Sequence, residues 1–261
     1  MALDKKLFKK EAAAASADTT TEDLILHLDA ADIDSFDDGG ADDSTWYDIA
    51  NFEYEPTEDP ADHFNAVTYT GTGASNSITG VGFQPDLIWV KNRDSSDSHA
   101  IYDSARGATK SLSSNSNAAQ TTVSNGITSF DSDGFTMGAN GNINGLNDDY
   151  VAWCFKAGGA PTASTPFMID GTGYATASAA GMGDDGDLSL TEASVNTKLG
   201  FAIYKFNPNT QSETNSLTHG LEQTPELIIT KSASHVYHWW VFENEIDGSW
   251  NHLKLNDTDA K

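Results

Sequence analysis

An internal repeat is the feature that most constrains what this chain can fold into. The segment Gly82–Lys91 reads GFQPDLIWVK, and the segment Gly220–Lys231 reads GLEQTPELIITK. A second matching pair lies upstream, where Phe64–Thr70 aligns with Phe201–Asn207. A fixed period of this kind indicates successive copies of one structural unit. The sequence therefore predicts two tandem modules.

Each module reads as a series of short β-strands, which predicts a mainly β protein. Strands are predicted at Pro85–Lys91, His99–Asp103 and Asp149–Lys156, and a hairpin at Thr128–Met137 turns at Asp133–Gly134. The chain contains 22 Gly and 7 Pro, which is typical of strands joined by many turns. We therefore expect tandem β-sandwich-like modules. They span residues 64–157 and 200–261, with a connector rich in Gly, Ala and Ser over residues 158–199.

The second module is shorter than the first. It has no counterpart of the hairpin Thr128–Met137 or of the apolar segment Tyr150–Lys156. A module without its last strands would leave a bare sheet edge and an open core. Either the chain is a fragment of a longer protein, which we expect, or a partner chain supplies these strands.

Residues 1–20 are predicted to form an α-helix that packs on another surface. Ala, Leu, Lys and Glu, which are strong helix formers, dominate residues 2–17. Leu3, Leu7 and Phe8 begin an apolar stripe at helical spacing. A helix of about 14 residues is marginal alone in water, so it needs a partner. Residues 21–63 follow as an acidic strand-loop segment and linker.

The charge of the chain excludes several classes of partner. The formal net charge is −25, and only 14 of the 261 residues are Lys or Arg. Nucleic acid and anionic membrane surfaces are not expected as partners, because both are bound by clustered basic residues. No segment approaches the roughly 18 apolar residues of a membrane span, so membrane insertion is not expected either.

Acidic residues supply candidate Ca²⁺ ligands, since this hard cation prefers oxygen. Their spacing differs from that of an EF-hand loop, and we interpret them as a solvated acidic loop, with Ca²⁺ as the one cofactor left open. The main cluster is Asp29, Asp32, Asp34, Asp37, Asp38, Asp42 and Asp43. Asp184–Asp187 with Glu192 form a weaker cluster, and Asp131 and Asp133 flank the predicted hairpin turn.

Histidine and cysteine give no metal site in this interpretation. His235 and His238 are three residues apart, which places them on opposite faces of a strand and is poor geometry for chelation. The single cysteine, Cys154, lies in the apolar run Tyr150–Phe155 and is predicted to be a buried, inert thiol.

Three tryptophans are candidate sugar contacts, because aromatic rings pack well on the apolar faces of sugars. They are Trp239, Trp240 and Trp250. Adjacent strand residues point to opposite faces, so core packing is expected to account for one of the first two. No nucleophile elbow, zinc-protease motif or phosphate-binding loop is present, and the protein is not expected to be an enzyme.

Several strings resemble a repeated module of tail-fibre-like and virion structural proteins of marine, cyanophage-like bacteriophages. They are GFQPDLIWVKNRDSSDSHAIYDSARGATKSLSSNS, DGFTMG, YVAWCFKAGG and FMIDGTGYATASAAGM. In addition, DLILHLDAADIDSF with STWYDIA resembles the opening of laminin-G-like segments of phage tail proteins. The resemblance covers roughly residues 64–261 and implies no catalytic residues.

The resemblance implies a structural virion protein made in the bacterial host cytoplasm and assembled as a tail-fibre or fibre-base subunit. We expect a homotrimer whose distal part faces a host receptor and whose N-terminal helix docks on other tail proteins. The docking residues are predicted to be Leu3, Lys5, Lys6, Leu7, Phe8, Lys9 and Lys10. The alternatives are a capsid decoration protein and a carbohydrate-binding or polysaccharide-cleaving tailspike.

Overall fold

The structure, a computed structural model, describes residues 59–183, 188–208, 217–243 and 252–257. The regular elements of the described residues are almost all β-strands, so the protein is mainly β, as predicted. The predicted N-terminal helix and most of the acidic segment lie outside the described residues. The first repeat contains β1 (Phe64–Thr70), β2 (Asn76–Thr79), β3 (Leu87–Asn92), β4 (Ala100–Asp103), β5 (Lys110–Ser111), β6 (Thr121–Thr122), β7 (Ile127–Asp131), β8 (Gly134–Met137), the short helix α1 (Gly141–Asn144) and β9 (Asp149–Phe155).

Two sheets enclose the core of the first repeat. One sheet has the strand order β1-β9-β3-β4, and the other has the order β2-β8-β7. Alternating residues of β3 and β9 point inward, because successive side chains on a strand face opposite sides. They meet inward residues of the second sheet in one apolar cluster. Its fully buried members include Ile88, Val90, Ile127, Phe135, Met137, Tyr150, Ala152 and Cys154.

Strand β9 joins the two ends of the first repeat. It lies antiparallel between β1 and β3, and Phe155 is the ladder partner of both Phe64 and Leu87. Its inward residues are buried and its outward ones, apart from the exposed Asp149, are half-buried, in line with the largely apolar run Asp149–Phe155.

The predicted hairpin is confirmed, with its turn shifted by one residue. Asp131 pairs with Gly134, so Ser132 and Asp133 form the turn and Gly134 begins β8. Gly134 has a φ of 150°, and a Cβ at this position would overlap the carbonyl oxygen of Ile78 on the neighbouring strand. Glycine is therefore required here by close approach of the backbone.

The connector folds into strands of its own. It contains β10 (Phe167–Ile169), β11 (Thr172–Tyr174) and β12 (Leu188–Asn196), which form a sheet with β13 (Phe201–Pro208) in the order β11-β10-β12-β13. Phe167, Met182, Leu190, Ala193 and Val195 make a small buried core on this sheet.

The second repeat reproduces the β3–β4 pair of the first. It contains β14 (Leu227–Thr230), β15 (Trp240–Glu243) and β16 (His252–Lys254). Leu227 pairs with Glu243 and Thr230 with Trp240, as Leu87 pairs with Asp103 and Val90 with Ala100 in the first repeat. Within the described residues, no helix has the length and apolar character needed to cross a membrane.

Candidate functional site

The loops that follow β3 and β14 are closed by the same pair of hydrogen bonds from a lysine to backbone carbonyl oxygens. In the first repeat, Nζ of Lys91 donates hydrogen bonds to the carbonyl oxygens of Asn92 at 2.5 Å and Ser95 at 2.9 Å. In the second repeat, Nζ of Lys231 makes the same two contacts along its own loop, at 2.7 and 3.3 Å. Partial burial lowers the pKa of Lys231. The lysine at this repeat position therefore closes both loops.

The tips of these two loops differ in chemistry. Residues 92–98 read NRDSSDS, whereas residues 232–238 read SASHVYH. Val236 and Tyr237 are exposed by 64% and 60%, respectively. Since the first repeat builds the same loop with polar residues, folding does not require apolar side chains at the tip. The two residues therefore place apolar side chains in solvent at a position where the first repeat has polar ones.

Trp240 lies beside this loop in a group of aromatic and basic side chains. Its ring is half-buried and meets the rings of His238 and His252 edge-on, with centroids 6.2 and 4.5 Å apart. Nζ of Lys254 lies 6.0 Å from the centroid of the indole ring. An aromatic ring flanked by hydrogen-bonding groups can stack on the apolar face of a sugar and contact its hydroxyls. We call Val236, Tyr237, His238, Trp240 and His252 the loop-tip surface.

Trp239 has a different role, because its side chain points the other way. It is buried against Ile101 and Leu112 of the first repeat. Its Nε1–H lies 2.9 Å from the carbonyl oxygen of Ser113 and 3.2 Å from that of Ser116. Trp239 thus joins the repeats, while Trp240 reaches the loop-tip surface. The third predicted contact, Trp250, lies outside the described residues.

The first repeat places His99 where the second has Trp239. Nε1–H of Trp89 donates to Nδ1 of His99 at 2.9 Å, so the proton of the neutral imidazole sits on Nε2. Burial, together with the nearby Lys91 ammonium, lowers the pKa of His99. His99 lines a depression of about 240 Å³. Its wall combines small polar side chains with apolar ones, among them Ser98, Ser113, Thr121, Leu112 and Val123.

Asp86 is a buried carboxylate with a structural set of partners. It accepts hydrogen bonds from the Ser104 hydroxyl at 2.8 Å and from the backbone N–H groups of Ala157 and Gly159 at 2.9 and 3.1 Å. Burial raises its pKa, although these hydrogen bonds oppose the shift. Asp86 thereby fastens the chain that leaves β9, at Ala157 and Gly159, to the end of β4, at Ser104. At the same repeat position, Glu226 is exposed.

Cys154 is buried, in line with the predicted inert thiol. Burial raises the pKa of its thiol to about 12. The thiolate is the reactive form, so this position is unsuited to nucleophilic chemistry.

Three acidic residues that the sequence singled out, Asp131, Asp133 and Glu192, bind protein groups. Asp133 accepts from the backbone N–H groups of Gly80 and Gly82, which lower its pKa, and Asp131 accepts from the hydroxyl of Thr136. Glu192 is paired with Lys205 at 2.8 Å. Among the described residues, no three His, Cys, Asp or Glu side chains are grouped so as to hold a metal ion. The clusters at residues 29–43 and 184–187 lie outside that part of the chain.

The sequence pointed to Trp240 but not to the rest of the loop-tip surface. The signal for Val236 and Tyr237 is the alignment of the two repeat copies, in which NRDSSDS is opposed to SASHVYH. His99 is likewise recognised only when the first repeat is aligned with Trp239 of the second.

Comparison with known proteins places this chain in a protein family. A family model described as a domain of unknown function, DUF7483, matches residues 59–182 and matches again over residues 173–261. The chain therefore belongs to this family and carries its domain twice in succession, in agreement with the internal repeat. No curated protein and no solved structure matches the chain.

Proposed function

We propose that this protein is a structural virion component, a tail-fibre or fibre-base subunit that carries tandem β-sandwich-like modules toward a host surface. The observation that carries the proposal is the junction between the repeats. There, Trp239 of the second copy contacts Ile101, Leu112 and the carbonyl oxygens of Ser113 and Ser116 in the first.

This junction is heterologous, because the two copies use different surfaces to make it. Ala233 of the second copy adds a backbone contact, since its carbonyl oxygen accepts from the N–H of Gln120 at 2.8 Å. A heterologous contact between like units can be repeated along a chain without closing on itself. An extended array of modules is the architecture that a fibre needs.

The loop-tip surface supplies the proposed receptor contact. Exposed Val236 and Tyr237 and the half-buried Trp240 offer apolar faces, and His238 and His252 add hydrogen-bonding groups. This combination suits a surface glycan of the host, which has both apolar ring faces and hydroxyl groups.

The position in the virion is tested by quantitative mass spectrometry of purified particles and by immunogold electron microscopy with antibodies to residues 59–183. A tail-fibre subunit is present in low copy number and is labelled at the tail. Labelling over the head at high copy number would contradict this proposal and favour the alternative, a capsid decoration protein. Light scattering on the protein extracted from particles tests the proposed trimer.

The N-terminal residues are proposed to dock the subunit on other tail proteins. Deletion of residues 1–17, which removes the apolar stripe and Lys5, Lys6, Lys9 and Lys10, should abolish incorporation into particles. The circular dichroism spectrum should keep its β signal. Normal incorporation of the deletion variant would end the docking proposal.

Receptor binding is tested with purified host surface glycan. Tyr237→Ala should weaken binding, because it removes an exposed ring without touching the buried core. The matched control is Asp97→Ala, which changes the same loop position in the first repeat. Release of shorter sugar chains during the assay would favour the alternative, a polysaccharide-cleaving tailspike.

A further inference from the structure

The depression beside His99 is built without charged side chains. It has a volume of about 240 Å³ and is formed by residues of the first repeat. Charged residues make up 20% of the chain, yet no Asp, Glu, Lys or Arg is among the described residues that line the depression. A charged ligand would lose its hydration here without gaining an opposite charge. The lining therefore favours an uncharged ligand.

His99 offers such a ligand a fixed hydrogen-bond donor. Its Nδ1 accepts from Nε1–H of Trp89 at 2.9 Å, so the proton of the imidazole lies on Nε2. Burial and the nearby ammonium group of Lys91 lower the pKa of His99, which keeps the ring uncharged near neutral pH. Within the described residues, Nε2–H has no protein acceptor. A ligand hydroxyl group would supply one.

Two further side chains of the lining have hydrogen-bonding groups available to a ligand. In the part of the chain that the structure describes, neither the hydroxyl of Thr121 nor the side-chain amide of Asn142 bonds to another protein group. Leu112 and Val123 add apolar surface to the same wall. A wholly apolar ligand would leave the polar groups without partners, which costs free energy. The best ligand therefore combines hydroxyl groups with an apolar face.

The volume of the depression limits the size of the ligand. Pockets for drug-sized ligands have volumes of about 300–1,000 Å³. The depression, with about 240 Å³, is smaller than these and suits a molecule of about one ring. A pyranose sugar is of this size, has no charge, and carries hydroxyl groups around apolar C–H faces.

We propose that the depression is a binding site for one uncharged sugar ring, with His99, Thr121 and Asn142 as its hydrogen-bonding residues. The site is distinct from the loop-tip surface, since no residue of that surface lines the depression. The inference therefore does not depend on the proposed virion function or on the proposed receptor contact.

The test titrates the isotope-labelled full chain with neutral sugars and follows it by proton–nitrogen correlation NMR. The sugars are D-glucose, D-galactose, D-mannose, L-fucose and N-acetyl-D-glucosamine. At least one of them should shift the signals of His99 Nε2–H and of the backbone amides of Thr121 and Asn142 in a saturable way. D-Glucuronate, which carries a carboxylate, is the charged control and should bind more weakly than the best neutral sugar.

Protein variants make the site assignment specific. His99→Phe keeps an aromatic ring but removes Nε2–H, and it should weaken binding about two- to tenfold, the loss expected of one hydrogen bond. Ala118→Phe adds bulk to an exposed residue of the lining and should weaken binding further. Ala175→Phe, at an exposed position outside the depression, is the matched control and should bind like the original protein. All variants must keep the circular dichroism spectrum of the original.

A methyl glycoside of the bound sugar identifies the source of the ligand. Equal binding of the glycoside would assign the site to a sugar unit of a glycan, and loss of binding would assign it to a free sugar. Either result supports the site.

Three results would overturn the proposal. One is that no neutral sugar of the set shifts the three signals, or that D-glucuronate binds more tightly than all of them. Another is equal binding by the Ala118→Phe and Ala175→Phe variants. The third is loss of binding in the Tyr237→Ala variant, because the sugar would then lie on the loop-tip surface.

Discussion

Asp86 and Glu226 occupy the same position in the two repeats but face different surroundings. Asp86 is 1% exposed and holds the backbone N–H groups of Ala157 and Gly159, whereas Glu226 is exposed. A buried carboxylate is tolerated only where donors satisfy its oxygens. The acidic residue therefore fastens the end of β9 where β9 is present and is solvated where no such strand is described.

Replacing Asp86 by alanine should destabilise the first repeat by about 2–4 kcal/mol, because two backbone donors and the Ser104 hydroxyl lose their acceptor. Urea unfolding followed by circular dichroism measures the loss. Glu226→Ala is the matched control and should change stability by less than about 0.5 kcal/mol. Equal effects of the two substitutions would show that Asp86 has no special structural role.

His99 should make the stability of the first repeat fall in mild acid. Burial and Lys91 lower its pKa, so below its ordinary value of about 6.5 the unfolded chain binds the proton more readily than the folded one. The contribution of neutral His99 to the free energy of unfolding is complete above about pH 6.5 and is lost as the pH falls through the pKa of the folded state. NMR titration should find this pKa below 6.5, and His99→Gln should remove this component. Titration at or above 6.5 would contradict the assignment.

At the scale of elements, the sequence predicted the positions of strands better than the order in which the strands pair. Alternating and continuous apolar runs located β3, β4 and β9 and the β7–β8 hairpin, because those runs record which faces are buried. The order β1-β9-β3-β4 depends on contacts between residues far apart in the sequence, which periodicity does not encode. Strands β10 to β12 were missed as elements since their segment is rich in small residues with low strand preference.

Gly134 is a position in a strand that leaves no room for a side chain. Gly134→Ala should destabilise the β2-β8-β7 sheet by about 1–3 kcal/mol, because the new methyl group would overlap the carbonyl oxygen of Ile78. Gly141→Ala is a suitable control, since no heavy atom lies within 4 Å of a Cβ at that position. Thermal unfolding of both variants measures the difference, and similar melting temperatures would refute the steric argument.

At the scale of the whole molecule, the candidate site depends on divergence between the copies. Trp239 replaces His99 at the junction, and the SASHVYH loop replaces NRDSSDS. Aligning the two copies could have identified both differences from the sequence alone. The burial of Trp239 could not have been foreseen, because it depends on how the second repeat packs on Ile101 and Leu112 of the first.

Trp239→Ala should uncouple the two repeats. Removing a buried indole ring is expected to cost about 3–5 kcal/mol, and here the loss falls on the contact between copies. Calorimetry should resolve the second repeat as a separate, lower transition while the first keeps its own. Trp240→Ala, which removes a half-buried ring outside this contact, should leave the transitions coupled. Unchanged unfolding of the Trp239→Ala variant would exclude the junction as a source of stability.

The pairing of Phe64 with Phe155 also bears on how such proteins evolve. These two residues are ladder partners, so the chain enters and leaves the first repeat at adjacent points. Units with neighbouring ends tolerate insertion and removal, because the flanking chain need not move to accommodate them. Recombination between the two copies in a gene could therefore add or delete a whole module in one event, and relatives are expected to differ in length by whole modules.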